Sequence, residues 1–349
     1  MGNSIPRLAT EQFDAHSCIQ KLPGSKIVQQ EMLCNRRFMK SFRSKRDNED
    51  LVVKVFYTGL SVEEELPPEL VQAQGVLLEQ RGKFSANSNA FNVLPYQAFI
   101  ELGDVQAAFL IRQYFHNNLH DALEHHHPPL TYVEKLFVVF QMLHGLKQMH
   151  RSGECHGDLK TENIMLTSWN WVFLTDIATF KPTNLPINDP SFFSYFFENA
   201  NRPACCIAPE RFTKSLSYLE SLVSAEQEQQ PTAQSTPSVL DLRPMMDIFS
   251  MGCIIAEIFA VDHRPLFSHP TLLQYIAGEY DPAEVGGCPT ASCAEISDSD
   301  MLLHSLSLVF SQAISKLECP QQIRNLVAHM IQKSPVCLVG IAWYWSMSW

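Results

Sequence analysis

One stretch in the middle of the chain restricts the possible folds more than any other feature. It begins with His156-Gly-Asp-Leu-Lys-Thr-Glu-Asn163 and continues into two short apolar segments, Ile164-Met-Leu166 and Val172-Phe-Leu174. Asp176 follows the second segment closely. Short apolar runs bounded by polar clusters are typical of β-strands that end in loops. The pattern therefore predicts two strands whose loops carry an aspartate, an asparagine and a second aspartate.

Two further motifs follow in a fixed order. Ala208-Pro-Glu210 comes first, and Asp247-Ile-Phe-Ser-Met-Gly252 then opens the apolar segment from Ile248 to Ala260. A segment that is apolar all round is typical of a helix buried on every side. Each motif alone is weak evidence, but the full set in this order, each in suitable local structure, is a strong indication of function.

The residue types in these motifs suit phosphoryl transfer, in which catalysis is mostly positioning and charge neutralisation. Asp158 is placed to accept the proton of an acceptor hydroxyl. Asp176 and the side-chain oxygen of Asn163 offer the oxygen ligands that Mg²⁺ prefers. Lys160 is placed to stabilise the transferring phosphoryl group. We therefore take these four residues as candidate catalytic and metal-binding groups.

A lysine earlier in the chain is the candidate for nucleotide binding. Lys54 is the one cation in the strand predicted from Leu51 to Tyr57, and it could reach the α and β phosphates of a nucleotide. A glutamate on the helix predicted from 63 to 83 would orient it. Glu79 lies in the better amphipathic context, whereas Glu69 is nearer the usual spacing from Lys54, so both stay open.

The clearest helix signature lies between these regions. Thr131, with Glu134 three residues later, forms a capping-box pattern, and apolar residues then recur at helical spacing up to His150. A second apolar run from Phe109 to Tyr114 precedes it. Shorter helices are predicted over 117–124, 270–278, 302–317 and 321–332.

Composition excludes several classes of protein. The chain has 349 residues and a formal net charge of −11, which argues against a nucleic-acid partner. Ten cysteines without paired short spacing indicate reduced thiols rather than a disulfide framework. No secretory signal and no apolar run of about 20 residues is visible, so we expect a soluble, cytoplasmic protein.

The same features suggest a division of the chain. We predict an irregular N-terminal segment over 1–30, a small lobe over 31–115 and a larger lobe over 116–333. Within the larger lobe, residues 220–238 are rich in Ser, Glu, Gln, Thr and Pro and are predicted to form a disordered insertion. An atypical apolar tail occupies 334–349.

Together the motifs resemble those of the eukaryotic protein kinases over roughly Leu51 to Gln332. Thr161-Glu-Asn-Ile-Met-Leu-Thr-Ser-Trp-Asn-Trp171, Leu174-Thr-Asp-Ile-Ala-Thr-Phe-Lys-Pro182 and Cys206-Ile-Ala-Pro-Glu-Arg-Phe212 resemble one branch in particular. That branch is the protein-kinase-like regulatory subunit of the class III phosphatidylinositol 3-kinase. The resemblance implies an α+β, bilobal protein-kinase fold with a β-rich N-lobe and a helical C-lobe. The catalytic loop and Asp176 would line the cleft between the lobes.

The resemblance also carries functional expectations. It implies serine/threonine kinase activity with ATP and Mg²⁺, and partnership with the lipid-kinase catalytic subunit and its autophagy and endosomal adaptor subunits. It further implies N-myristoylation at Gly2, a peripheral position on endosomal or autophagic membranes, and a role in vacuolar protein sorting. Family members continue into helical repeats and a propeller after the kinase domain.

Two departures from the kinase pattern keep an alternative open. No glycine occurs from Ser25 to Thr58, where kinases carry the glycine-rich loop that covers the phosphates. Gly157 stands where an arginine usually precedes the catalytic aspartate, so an activation-loop phosphate would lose its usual partner. The alternative function is a pseudokinase scaffold that holds the lipid kinase at a membrane without phosphotransfer.

Overall fold

The structure is a computed structural model, and it describes most of the chain in eleven segments. These are residues 15–22, 27–58, 73–86, 90–104, 106–125, 128–187, 189–197, 202–212, 243–260, 262–279 and 321–331. Within those segments, no helix combines the length and apolar character that a membrane crossing requires. Gly2, the alternative Glu69, the predicted helix over 302–317, the predicted insertion and the apolar tail all lie outside the described residues.

A five-stranded antiparallel sheet forms the N-terminal part of the fold. Its strands are β1 (Ile27–Asn35), β2 (Met39–Arg46), β3 (Glu49–Tyr57), β4 (Ala98–Leu102) and β5 (Ala107–Gln113), in the spatial order β1-β2-β3-β5-β4. The predicted strand from Leu51 to Tyr57 lies inside β3, which confirms that prediction, and the second apolar run overlaps β5.

The two faces of this sheet have different chemistry. On one face, alternate residues of β3 and β5 join a core that helix α1 (Ala15–Gln20) helps to cover. On the other face, Val52 pairs directly with Arg112 and Lys54 pairs with Leu110. Because side chains alternate across a strand, Lys54 and Arg112 point to the same face. Lys54 lies two residues along β3 from Val52, the residue that pairs with Arg112. Both cations therefore lie opposite the apolar core.

One helix lies between β3 and β4, and three short strands and further helices follow the sheet. They are α2 (Ala73–Ala86), β6 (Asn117–Asn118), α3 (Leu119–His125), α4 (Tyr132–Arg151), β7 (Ile164–Leu166), β8 (Val172–Leu174) and α5 (Pro190–Phe196). The capping box at the start of α4 is present, because the Glu134 carboxylate accepts from the Thr131 N–H at 2.8 Å and Thr131 Oγ1 accepts from the Glu134 N–H at 3.3 Å. The strands β7 and β8 pair antiparallel, as part of a three-stranded sheet with β6.

Three later segments that were predicted to be helical form helices in the structure. They are α6 (Arg243–Phe259), α7 (His269–Ala277) and α8 (Gln321–Met330). Every residue of α6 from Met245 onward is buried, which confirms the prediction of a helix enclosed on all sides, although α6 begins five residues before Ile248. Gly278 ends α7 in the left-handed conformation, with φ of 78°.

The chain divides into two compact units. The first contains residues 1–122, 140–158 and 162–202, and the second contains 123–139, 159–161 and 203–349. The first unit therefore holds the five-stranded sheet, β7, β8 and most of the motif residues. The sheet and the helices together confirm the predicted α+β protein-kinase fold, whereas the predicted boundaries at 31–115 and 116–333 stay predictions.

Candidate active site

A pocket of about 410 Å³ lies within the first unit. Its walls come from the β1–β2 turn, the Lys54 face of the sheet, the segment 114–121 and the loops around β7 and β8. Four of the candidate residues from the sequence line it, namely Lys54, Asp158, Asn163 and Asp176. The structure thus brings together residues that are more than 100 positions apart in the chain.

The loop after β8 is held to the loop before β7 by hydrogen bonds. Thr175 donates to the Asn163 carbonyl through both its N–H (3.0 Å) and its hydroxyl (3.1 Å). The Nε2 of His156 contacts the Thr175 carbonyl at 2.8 Å, and the Ala178 N–H donates to the His156 carbonyl at 2.8 Å. These bonds position Asp176, whose φ of 63° is uncommon for a residue with a Cβ.

Asp176 lies at the centre of a buried ionic cluster. Arg112 donates to both of its carboxylate oxygens, from Nε at 2.7 Å and from Nη2 at 2.9 Å. The Nζ of Lys54 lies 2.8 Å from Oδ2, and Tyr96 lines the same pocket. Asp176, Arg112 and Tyr96 are each no more than 5% exposed. The carboxylate therefore accepts from Arg112 twice and from Lys54 once, in a region with little solvent.

Burial and charge act against each other in this cluster. Burial favours the neutral carboxyl, but Arg112 and Lys54 outweigh it and hold the pKa of Asp176 well below its usual range. Burial lowers the pKa of Lys54 to about 8, although Asp176 opposes that change. Burial and the neighbouring Asp176 raise the pKa of Tyr96. At neutral pH both Lys54 and Asp176 are therefore charged, and Tyr96 is a hydrogen-bond donor.

The candidate general base, Asp158, forms an ion pair with a lysine. The Nζ of Lys181 lies 2.7 Å from Asp158 Oδ2, and both side chains are 7% exposed. Asn163 donates through Nδ2 to the Asp158 carbonyl at 2.7 Å and approaches Oδ2 at 3.4 Å. Lys181 also lies over the Phe197 ring, 4.9 Å from its centre. The carboxylate of Asp158 is therefore fixed in place as half of a buried ion pair.

A phenylalanine occupies the turn that would correspond to a glycine-rich loop. Phe38, between β1 and β2, is 5% exposed. Its ring centre lies within 4.9–6.4 Å of four aromatic rings, those of Phe56, Phe180, Tyr195 and Phe196. Aromatic packing, rather than backbone freedom, holds this turn. Because the turn has no glycine to let its backbone approach phosphates closely, we expect side-chain cations to provide most phosphate contacts.

The prediction that Glu79 orients Lys54 is wrong in this structure. Glu79 is exposed and forms an ion pair with Lys83 at 2.9 Å. The buried stripe of α2 runs through Leu77, Gln80 and Phe84, and Glu79 lies about 100° around the helix from Gln80. Helical phase therefore turns the glutamate toward solvent.

Gln80 takes the inward position on α2 instead. Its Nε2 donates to Glu154 at 2.7 Å and to the Thr179 hydroxyl at 3.2 Å. Lys83 also contacts Glu154, at 2.6 Å. The helix is thus tied to the segments around the active-site loops through Glu154 rather than through Lys54.

The roles of two other predicted site residues, Lys160 and Gly2, stay predictions. Lys160 is buried, with 9% exposure, and belongs to the second unit, so its role at a phosphoryl group stays a prediction. Gly2 lies outside the described residues, and its acylation stays a prediction as well.

Three residues of the site were missed by the sequence reasoning: Arg112, Tyr96 and Lys181. One of them had a usable indication, because Arg112 is the single charged residue in an apolar strand, the same feature that singled out Lys54. Tyr96 and Lys181 lie in segments without regular secondary structure, where no periodicity indicates which way a side chain points. Their contacts depend on the path of the chain in three dimensions.

A divalent metal does not fit Asp176 in this arrangement. Protein kinases in general use ATP and Mg²⁺, and the predicted ligands here are Asp176 and Asn163. An ionised carboxylate offers about four lone-pair positions, and the contacts to Arg112 and Lys54 use three of those of Asp176. A cation at Asp176 would also lie beside Arg112 and Lys54, both positively charged. The oxygen donors have suitable chemistry, but Arg112 and Lys54 occupy most of the carboxylate of Asp176.

The backbone conformation at position 157 explains why a glycine precedes Asp158. Gly157 has a φ of 77°, a region that side chains rarely adopt, and a Cβ there would lie 3.2 Å from the Ala178 carbonyl oxygen. The arginine that kinases usually carry at this position would be strained in this backbone.

We expect Gly157→Ala to lower the free energy of unfolding by about 1–2 kcal/mol, because alanine disfavours the left-handed region. Urea denaturation measures this change. Gly153→Ala is the matched control for φ alone, since its φ is 75° and a Cβ there meets no atom within 4 Å. If Gly157→Ala is no more destabilising than Gly153→Ala, the close approach to Ala178 does not matter.

The glutamate of the Ala-Pro-Glu motif makes stability depend on pH. Glu210 is 3% exposed, and burial raises its pKa from the usual 4.5 to about 7. Between those pH values the folded state retains a proton that the unfolded chain has lost. The free energy of unfolding should therefore fall as pH rises through this window, by about 3 kcal/mol from this group.

Urea unfolding at pH 5 and pH 8 checks this prediction. The wild type should lose stability between the two values relative to Glu210→Gln, which has no carboxyl to titrate. Parallel pH dependence in the two proteins would show that Glu210 titrates normally.

Comparison with known proteins agrees with the geometry. The family model described as protein tyrosine and serine/threonine kinase matches residues 78–223. The chain is 37% identical over 338 residues to serine/threonine-protein kinase VPS15 of Arabidopsis thaliana, which covers 96% of this chain and 19% of that protein.

Two yeast relatives carry the same name. The Schizosaccharomyces pombe protein is 34% identical over 330 residues, covering 94% of this chain and 17% of the relative. The Saccharomyces cerevisiae protein is 36% identical over 250 residues, covering 71% of this chain and 15% of the relative. The chain thus spans less than a fifth of the length of these relatives. By its motifs, fold and relatives, the chain belongs to the protein-kinase family, in the branch of the VPS15 serine/threonine-protein kinases.

Proposed function

We propose that this chain is a serine/threonine protein kinase domain that transfers the γ-phosphate of ATP to protein hydroxyl groups. The observation that carries the proposal is the convergence of Lys54, Asp158, Asn163 and Asp176 in one pocket. The names of the relatives support the kinase over the non-catalytic scaffold. ATP is the proposed cofactor, and its triphosphate would face the cations of this pocket.

The chemistry assigns one role to each buried group. The substrate hydroxyl oxygen forms a bond to the γ-phosphorus, while the bond from that phosphorus to the β–γ bridging oxygen breaks and ADP leaves. The hydroxyl proton passes to Asp158, which Lys181 and Asn163 hold in position. Lys54 neutralises charge on the phosphates, and Asp176 fixes the orientation of Lys54.

Transfer of labelled γ-phosphate from ATP to a serine/threonine protein substrate tests the proposal. The purified chain should phosphorylate the substrate and itself, and Lys54→Met should reduce both reactions. Asp50→Asn is a suitable control, because Asp50 forms a partly exposed ion pair with Arg43 in the same sheet. Absence of transfer at millimolar ATP, with a correctly folded chain, would favour the scaffold.

We further propose that the domain acts within a class III phosphatidylinositol 3-kinase complex in endosomal sorting and autophagy. The resemblance to the regulatory subunit and the VPS15 names of the relatives support this. Its proposed partners are the lipid-kinase catalytic subunit and its adaptor subunits, and acylated Gly2 would provide a peripheral membrane contact. One acyl chain binds membranes only marginally, so we expect a second contact.

Flotation with liposomes tests the membrane contact. Protein co-expressed with an N-myristoyltransferase should float, whereas Gly2→Ala should not. Equal flotation of the two forms would exclude Gly2 as the membrane contact. Co-purification with the lipid-kinase catalytic subunit tests the proposed complex separately.

A further inference from the structure

The contacts of Arg112 are not explained by the kinase pattern. Arg112 extends from β5 on the Lys54 face of the sheet and is 5% exposed. Its guanidinium forms a two-point ion pair with Asp176, a geometry that fixes both groups. Nη1 donates to the Gln113 carbonyl at 3.0 Å, which holds the guanidinium from a third side. A buried arginine thus occupies the carboxylate that the motif assigns to a metal.

The net charge of the pocket also favours an anionic ligand over a metal cation. Its lining carries five cationic side chains and four anionic ones, a net charge of +1 with the histidines neutral. Three of the acids already have a protein cation: Asp176 has Arg112 and Lys54, Asp158 has Lys181, and Glu162 has Arg202 at 3.9 Å. A polyanion suits such a pocket, because excess positive charge lies in a buried region where Coulomb interactions are strong. An added divalent cation would meet positive charge.

Arg112 also has donors to offer a ligand. A guanidinium carries five N–H groups, and the contacts seen within the described residues use three of them. Planar N–H pairs suit phosphate oxygens, which is why arginine is common where phosphate is recognised. The β1–β2 turn contains no glycine, so its backbone lacks the freedom for close approach to phosphate, and side chains are the main source of such donors.

We propose that Arg112 replaces the divalent metal at Asp176, so that this pocket binds the phosphates of a nucleoside triphosphate without a metal ion. Arg112 and Lys54 form the phosphate-binding pair, and Asp176 holds both in position. This inference rests on the proposed function, because it assumes that the pocket is a nucleotide site.

Calorimetric titration of ATP, with either excess EDTA or excess Mg²⁺, tests the proposal on the wild-type chain. The two affinities should agree within about threefold. Binding that occurs only with Mg²⁺ would overturn the role of Arg112 and leave the kinase proposal intact. No binding under either condition would instead contradict the nucleotide site itself, so the two failures are distinguishable.

Substitution of Arg112 sharpens the test. Arg112→Met keeps much of the side-chain volume but removes the charge, so affinity in EDTA should fall about ten- to hundredfold. Mg²⁺ should then restore part of the affinity, because Asp176 regains lone pairs. Arg46→Met is the matched control: Arg46 is exposed, pairs with Glu49 in the same sheet and should leave binding unchanged.

A second variant keeps the test possible if Arg112→Met does not fold. Arg112→Lys keeps a positive charge, and circular dichroism checks that each variant is folded. Arg112→Lys should bind ATP in EDTA more weakly than the wild type, but more tightly than Arg112→Met where that variant folds. If ATP affinity in EDTA is the same in the wild type and Arg112→Lys, the two-point guanidinium geometry is not required and the proposal is wrong.

Discussion

Replacement of Asp176 by alanine should lower the free energy of unfolding by about 3–5 kcal/mol, even though it removes no apolar contact of note. The reason is that Arg112 and Lys54 would remain buried without their shared counter-ion. Isolated buried charges are far more costly than the pair they came from. Urea denaturation of the wild type and Asp176→Ala at pH 7 measures the loss.

Two further variants separate the buried cluster from ordinary surface electrostatics. Glu49→Ala breaks the exposed Arg46–Glu49 pair and should cost less than about 1 kcal/mol. Arg112→Met combined with Asp176→Ala should recover part of the loss, because one unpaired charge disappears with its partner. A loss below about 1 kcal/mol for Asp176→Ala would mean that water or side-chain movement relieves the charges.

Asp158→Asn should reduce phosphotransfer by about 10²–10⁴-fold, the usual contribution of a general base. Asparagine retains the shape of the side chain but cannot accept the hydroxyl proton. ATP affinity should change much less than the rate, because the proposed phosphate contacts are those of Lys54 and Arg112 rather than Asp158. Single-turnover transfer of γ-phosphate, with ATP affinity measured in parallel, distinguishes the two effects.

The partner of Asp158 provides the control for this experiment. Lys181→Met retains the Asp158 carboxyl group but removes the cation at 2.7 Å. If Asp158 acts as the base, Lys181→Met should transfer phosphate faster than Asp158→Asn. Equal rates in the wild type and Asp158→Asn would exclude Asp158 as the proton acceptor.

Local sequence patterns predicted much of the fold. The start of α4 follows from the Thr131–Glu134 capping box, and β3 follows from a run of β-branched residues. The burial of α6 follows from its nearly uniform apolar composition. In each case residues close in sequence carry the information, so no knowledge of the tertiary structure is needed.

The site was predicted less completely, for a physical reason. Motif spacing placed Asp158, Asn163 and Asp176 on neighbouring loops, and the structure brings them to the same pocket as Lys54. The error at Glu79 arose because one residue changes the direction of a helical side chain by about 100°. The apolar strand around Arg112 indicated a special residue, but its position beside Lys54 required the register of β3 against β5, which sequence alone does not show.

Labelling of Lys54 tests the central claim, that this lysine faces a nucleotide site, most directly. An acyl-phosphate derivative of ATP transfers its acyl group to a nearby neutral amine, forming the amide bond as the carbonyl–phosphate bond breaks. With a pKa of about 8, about half of the Lys54 amines are neutral at pH 8. We predict that mass spectrometry finds Lys54 acylated ahead of the more exposed Lys83, and that excess ATP protects it. Labelling that spreads over exposed lysines, spares Lys54 and ignores ATP would contradict the account.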